Sequence, residues 1–272
     1  MAYLREVLAS RELLVNLVAR EVKGKYRRTV FGQLWSLANP LAMMLVYTIV
    51  FSFIFRARPS AGDPSGLDIY PLWLLCGYLP WTYFVRVVTG SISSVIGNGT
   101  LIKKVYFPRS VLPLATAGSV GFTWLVEMGV LLVALSIFGA FEFPWVLAAL
   151  VCMLLLAIFS SGLGMLLAAA NVYFRDIQHL TVIAMTLWMY LTPIIYPIEL
   201  VERAAAEHGQ WLLVLYQFNP MERFVNVFRN ILYDTRWPTV ESSLWCVGSA
   251  LVMFVIGFVV FQRSERRFAE LL

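Results

Sequence analysis

Charge is what this sequence has least of. Of its 272 residues only 14% are Asp, Glu, Lys or Arg, while 60% are hydrophobic. Soluble domains carry about 25% charged and about 45–50% apolar residues. A water-facing surface cannot be built from so few charges, so much of the apolar excess must face lipid. The length suits one helical bundle and leaves no room for a second soluble domain of ordinary size.

Residues suited to metal or redox chemistry are scarce too. Cys76, Cys152 and Cys246 lie inside apolar runs, with no spacing of a disulfide framework or zinc site. His179 and His208 stand apart from other ligating residues, so no metal site is expected. The phosphate-cradling loop G-x-x-x-x-G-K-[ST] is missing, since Gly24-Lys25 is followed by Tyr26. No G-x-S-x-G or H-E-x-x-H string occurs. The chain therefore brings no visible means of hydrolysing ATP or breaking covalent bonds, and energy for active work has to come from a partner. A cleaved signal peptide is not expected either. The first 33 residues mix Arg5, Arg11, Arg20, Lys23, Lys25, Arg27 and Arg28 with Glu6, Glu12 and Glu21 instead of opening on a short basic start and an apolar stretch.

What the sequence has in plenty is long apolar runs. A spanning helix needs about 20 mostly apolar residues. Six candidates follow in order: Leu34–Phe55, Tyr70–Val88 with a continuation towards Ile96, Val111–Phe138, Trp145–Tyr173, Leu180–Tyr196 and Leu244–Phe261. They lack strand alternation, so the fold class expected is all-α and polytopic. Fourteen of the 21 lysines and arginines fall in segments on one side, if the N-terminus lies inside, and six on the other. This bias predicts a multi-pass protein of the cytoplasmic membrane with both termini in the cytoplasm.

Three pieces do not span. Ser10 can cap a helix to about Arg28, with Leu14, Leu17, Val18, Val22 and Lys25 near one side and Asn16, Arg20, Lys23 and Arg27 on the other, the pattern of an amphipathic interfacial helix. The stretch from Asn98 to Pro108 is short, basic and closed by proline. Between Pro197 and Thr239, Asn219-Pro220 breaks the chain, the apolar run Trp211–Phe218 is too short to span, and Glu222–Tyr233 is amphipathic. A re-entrant helical pair before the last span is expected there. The chain thus reads as one permease-like domain: an interface helix over 1–33, a bundle over 34–262 with the outer re-entrant segment at 197–239, and a tail over 263–272.

Two charges fall inside spans, Arg86 and Glu127. Counted from the span ends, they should lie near opposite faces of the membrane. Arg86 is then expected to snorkel to the cytoplasmic interface, and Glu127 to face the bundle interior or a wet pathway. Aromatics are abundant and have two readings. Trp35, Tyr47, Trp81, Tyr83, Tyr190 and Tyr196 suit an interfacial belt, or a pore lining on which sugar rings slide.

Several strings now come together: Tyr26-Arg-Arg-Thr-Val-Phe-Gly-Gln-Leu-Trp35 with Asn39-Pro40; Lys103-Lys-Val-Tyr-Phe-Pro-Arg109 with Leu112-Pro113; Asn171-Val-Tyr-Phe-Arg-Asp176 with His179-Leu180; Thr192-Pro-Ile-Ile-Tyr-Pro197; and Asn219-Pro-Met221 followed by Arg229. In this order and spacing they resemble the permease subunit of type-two ABC exporters, in the branch that exports polysaccharide, O-antigen, teichoic acid or galactan for cell-wall biogenesis. The resemblance runs from about Arg20 to the C-terminus.

It implies a homodimer working with two copies of a separate ATP-binding subunit, which binds the ATP and Mg; this chain binds no cofactor. It implies a lipid-linked glycan as cargo, membrane lipids around it, and no nucleic acid. The residues that would meet the ATPase are Arg20, Tyr26, Arg27, Lys103, Lys104, Tyr106, Phe107, Pro108, Arg109, Asn171, Phe174, Arg175 and Asp176. The path would use the six aromatics above with Glu127, and the outer gate Asn219, Pro220, Glu222, Phe228 and Arg229. The basic inner residues suit a diphosphate, and positive-inside topology explains them equally. The alternatives are a permease of the same fold exporting a drug or small lipid, and a membrane-embedded transferase using Asp176 and His179.

Overall fold

The computed structural model describes residues 6–7, 9–26, 32, 35–54, 61–139 and 143–268. No strand occurs among the described residues. In chain order the helices are α1 (Arg11–Tyr26), α2 (Trp35–Tyr47, continued by a π-helical stretch Thr48–Ile54), α3 (Tyr70–Gly97), α4 (Gly99–Lys104), α5 (Val111–Ile137), α6 (Phe143–Tyr173), α7 (Ile177–Tyr190), α8 (Glu199–His208), α9 (Trp211–Gln217), α10 (Pro220–Arg229, then a π-helical turn Asn230–Asp234) and α11 (Val240–Ser264). Three stretches are long and apolar enough to cross a membrane: Val111–Ile137, Pro144–Tyr173 and Val240–Ser264. The stretch Trp35–Phe51 is apolar but shorter.

Local signals set the ends. Asn219 caps α10 by accepting from the Met221 amide at 3.0 Å, and Pro220 takes a first-turn position where its missing N–H costs nothing. Thr239 caps α11 in the same way, accepting from the Ser242 amide at 3.2 Å.

Helix α3 is the centre of the bundle. It is buried along most of its length and packs against α5 and α6. Helices α6 and α11 cross at two glycines. A methyl on Gly257 would overlap the carbonyl oxygen of Gly162, and one on Gly162 would come to 2.5 Å of the Phe254 backbone. Only glycine allows backbones this close, as in other helix pairs whose contact rests on small residues. One apolar cluster fills the bundle around Phe84, Trp124, Phe159 and Phe224. A second, smaller cluster joins Leu17, Ile102, Phe107, Val111, Phe261 and Phe268 at the Gly97 end of α3.

Helix α1 packs along α5. Val18 comes against Gly118, and Ser119 Oγ donates to Glu21 Oε2 at 2.6 Å. Leu17 is buried, while Asn16, Arg20, Lys23 and Lys25 are exposed.

Two expectations are corrected. The fifth apolar run, Leu180–Tyr196, is helix only to Tyr190; residues 191–198 form turns and bends. Pro193 removes an amide, so α7 stops about 21 Å long, short of the ~30 Å hydrocarbon core, and helix resumes only at Glu199. The second correction concerns depth. Arg86 and Glu127 do not lie at opposite faces: Arg86 Nη1 donates to Glu127 Oε1 at 2.7 Å. Measuring depth from a helix end assumes that helix and membrane are equally long. At 28 and 27 residues, α3 and α5 are each about 40 Å long and overrun the core, which brings both residues to mid-helix.

Candidate functional site

The break after α7 leaves backbone carbonyls without helical partners, and buried carbonyls must be satisfied. Side chains from other elements do this one by one. Arg229, at the end of α10, donates through Nη1 to Pro193 O and through Nη2 to Ile194 O, both at 2.6 Å. Tyr70 Oη donates to Ile195 O at 2.7 Å, and Tyr196 Oη to Tyr190 O at 2.7 Å. Asn219 Nδ2 donates to Leu191 O at 3.2 Å and to Thr192 Oγ1 at 2.9 Å, while its Oδ1 accepts from Trp188 Nε1 at 2.8 Å.

Arg229 is only 9% exposed, and its guanidinium carbon sits 3.5 Å from the ring centre of Trp73. Gly77 leaves it room: a Cβ there would lie 3.0 Å from Arg229 Nη2. Beside this junction is a cavity of about 240 Å³, lined among others by Trp73, Glu199, Glu222, Asn226, Arg229 and Asp234. Burial pushes the Glu222 carboxyl above its ordinary range, with Arg223 pulling the other way; burial does the same to Asp234 against Arg236. Four of the residues expected at the outer gate thus meet here or beside it: Asn219, Pro220, Glu222 and Arg229. Phe228 is fully buried and packs edge-on to Trp124.

The residues expected to line a path do not form one surface of the chain. Tyr83 is buried, stacked on Trp124 with ring centres 4.1 Å apart, and Trp81 is buried against Phe84 and Trp188. Both are core residues, because they sit on the inward sides of the central helix. Glu127 is buried against Arg86. Trp35 and Tyr190 are exposed, and Tyr47 and Tyr196 are half-buried, Tyr47 edge-on to Tyr78 and Tyr196 sharing a 2.9 Å hydrogen bond with Tyr216.

At the opposite end of α3 the expected partner-facing residues divide. Tyr106 is 92% exposed and Phe174 70%, with Lys103, Lys104, Arg175 and Asp176 exposed around them. Phe107 turns the other way and is 7% exposed, inside the small cluster with Val111 and Phe261; Pro108 is buried beside it. Phe107 therefore serves the fold, and the expectation that Tyr106 and Phe107 stand out together is corrected. On this extended segment neighbouring side chains point to opposite sides. Asn171 is buried and holds the α6–α7 turn to α3, donating to Ile92 O at 3.3 Å and accepting from the Gln178 amide at 3.2 Å. The Arg109 guanidinium donates to the Glu265 carbonyl and its amide to Glu265 Oε2. Arg20 reaches Asn98 Oδ1 at 2.9 Å. The Tyr26 side chain and Arg27 lie outside the described residues.

A family described as ABC-2 type transporter matches residues 12–233. The chain belongs to that family. It is 30% identical to the O-antigen export system permease protein RfbA of Myxococcus xanthus, over 98% of this chain and 97% of that protein. The protein of the same name in Klebsiella pneumoniae is 28% identical over 96% and 95%. The polysialic acid transport protein KpsM of Escherichia coli is 22% identical over 92% of each.

Within this ABC-2 chain, sequence reasoning missed Trp73, Trp188, Tyr70 and Glu265 as partners of the residues it named. One signal was present for Tyr70. Thr192-Pro193 and Pro197 announce a broken helix, and a broken helix in a membrane protein demands side-chain donors for its carbonyls. Nothing in the sequence pointed to Glu265.

Proposed function

We propose that this chain is the membrane-spanning subunit of an ATP-driven exporter that moves a lipid-linked polysaccharide across the bacterial cytoplasmic membrane. The observation that carries this reading is its similarity, over almost the whole of both chains, to O-antigen export permeases. The subunit works as a homodimer with two copies of a separate ATP-binding subunit, which supplies ATP and Mg, since this chain has no phosphate-cradling loop. O-antigen heads the cargo classes, with capsule, teichoic acid and galactan behind it.

Six spans are α2, α3, α5, α6, α7 with its non-helical extension, and α11. Both termini face the cytoplasm, α1 lies at the inner interface beside α5, and α9 and α10 form the re-entrant pair that closes the outer mouth. Tyr106 and Phe174, with Lys103 and Lys104, stand at the cytoplasmic tip where the ATP-binding subunit docks. Closure of that partner pushes on this tip and tilts the bundle as a rigid body. At the other end Arg229 and Asn219 tie the α7 extension to the re-entrant pair, so the two move together. Irregular backbone at this depth is tolerated because it is satisfied by protein side chains.

The test is complementation. A strain deleted for its O-antigen permease, given this chain with its own ATP-binding subunit, should regain surface polysaccharide. Glycan that stays inside, with both proteins present in the membrane, would contradict the reading. Export of a small lipid or drug by the same pair would favour the alternative cargo.

A further inference from the structure

The α3–α5 ion pair is not used by any step above, and its geometry points to a contact with the cargo. Arg86 gives one N–H to Glu127, whose side chain is fully buried, while the Arg86 side chain is 25% exposed. A guanidinium has five donors. Among the described residues Arg86 donates to nothing else. With α3 read as a span, it sits near mid-helix, the seventeenth of 28 residues, and so inside the ~30 Å core. Its head is held at Glu127 and does not reach for the interface. Donors left open at that depth are costly towards hydrocarbon and mark a wet or polar pathway.

The same side of α3 carries Thr89, Gly90 and Ser93, all partly or fully exposed; Ile96 is the next residue exposed below them. Helix α11 shows an apolar exposed stripe along its middle, with Leu244, Val247, Leu251, Val252, Val255 and Ile256 among its exposed residues. The strip headed by Arg86 has the opposite character.

We infer that Arg86, oriented by Glu127, offers its free N–H groups to the hydroxyl and ring oxygens of sugar units passing through the membrane. This rests on the reading of the chain as a glycan exporter. The pair carries no net charge, so it supplies hydrogen bonds without an electrostatic trap. A moving polymer needs contacts of that kind, favourable enough to enter and weak enough to leave.

Two double variants test it, in the full chain with its ATP-binding subunit. Arg86→Met with Glu127→Met removes the pair and keeps the volume, an exchange that buried pairs commonly tolerate. The partner should co-purify at the wild-type level while export of glycan falls about tenfold, the worth of one or two hydrogen bonds. Arg86→Glu with Glu127→Arg rebuilds the ion pair but presents a carboxylate in place of the donor fork, and export should stay low. Wild-type export through either double variant would reduce the pair to a structural tie and overturn the inference. If the methionine variant fails to assemble, the reversed pair decides alone. A wild-type complex that exports no glycan would remove the functional reading itself, a separate outcome visible before any variant is made.

Discussion

The two ends of α3 are built in opposite ways. At the Tyr70 end, the polar groups of the α7 break are consumed within the chain: Arg229 binds two carbonyls and covers Trp73, and Asn219 uses both its amide and its carbonyl. At the Gly97 end, Arg20, Arg109 and Asn171 tie the frame together, yet Tyr106 and Phe174 are left in the open. One end is closed by its own side chains; the other leaves aromatic surface exposed. In the proposed exporter the first end would be the seal that holds at rest and the second the handle for the ATP-binding partner.

The difference can be broken most severely from within the handle. Phe107→Ala empties a buried site in the small cluster and should cost about 3–5 kcal/mol of stability, the usual loss for a core Phe. The check is thermal unfolding of the purified chain in detergent. Arg229→Met should cost about 3 kcal/mol, because it leaves the Pro193 and Ile194 carbonyls buried without donors. It should show as protease cleavage between 191 and 239 while the rest of the bundle resists. Tyr106→Ala should leave stability unchanged and weaken binding of the ATP-binding subunit by about 2 kcal/mol, as loss of an interface anchor does; co-purification at graded partner concentrations measures it. If Tyr106→Ala destabilises the chain and Phe107→Ala does not, the assignment of the two neighbours is reversed.

The smallest effect concerns pH. Burial raises the Glu222 and Asp234 carboxyls, so the folded outer segment holds their protons more tightly than the unfolded chain. Its stability should therefore rise as pH falls through the raised values towards the ordinary carboxylate value of about 4, and change little above them. Asp234→Asn should flatten this slope. Protease resistance of the 191–239 segment followed across pH is the measurement, and resistance that declines over this window would contradict the burial argument.

Much of this was legible in the sequence, for physical reasons. Runs such as Val111–Ile137 and Val240–Ser264 declare themselves because lipid demands long apolar helices. Asn219-Pro220 announces the start of α10 because capping chemistry is local. What failed was long-range or directional. Tyr106 and Phe107 are adjacent and chemically alike, and only the packing of Val111 and Phe261 decides which turns inward. Tyr83 and Trp81 looked like pore aromatics because an aromatic that faces a core and one that faces a channel have the same composition. The Arg86–Glu127 pair was hidden because helices longer than the membrane break any depth scale counted from their ends.

The central claim is that the closed end faces outwards and the open end faces the ATP-binding partner. The direct test is labelling of intact cells with a membrane-impermeant thiol reagent. The natural cysteines, Cys76, Cys152 and Cys246, are buried, so single additions report cleanly. Arg203→Cys, exposed on α8, and Arg236→Cys, exposed at the cavity beside Arg229, should react from outside. Lys104→Cys and Arg267→Cys, exposed at the Tyr106 end, should react only after the cells are opened. Labelling of position 104 or 267 in intact cells, with 203 and 236 silent, would contradict the account.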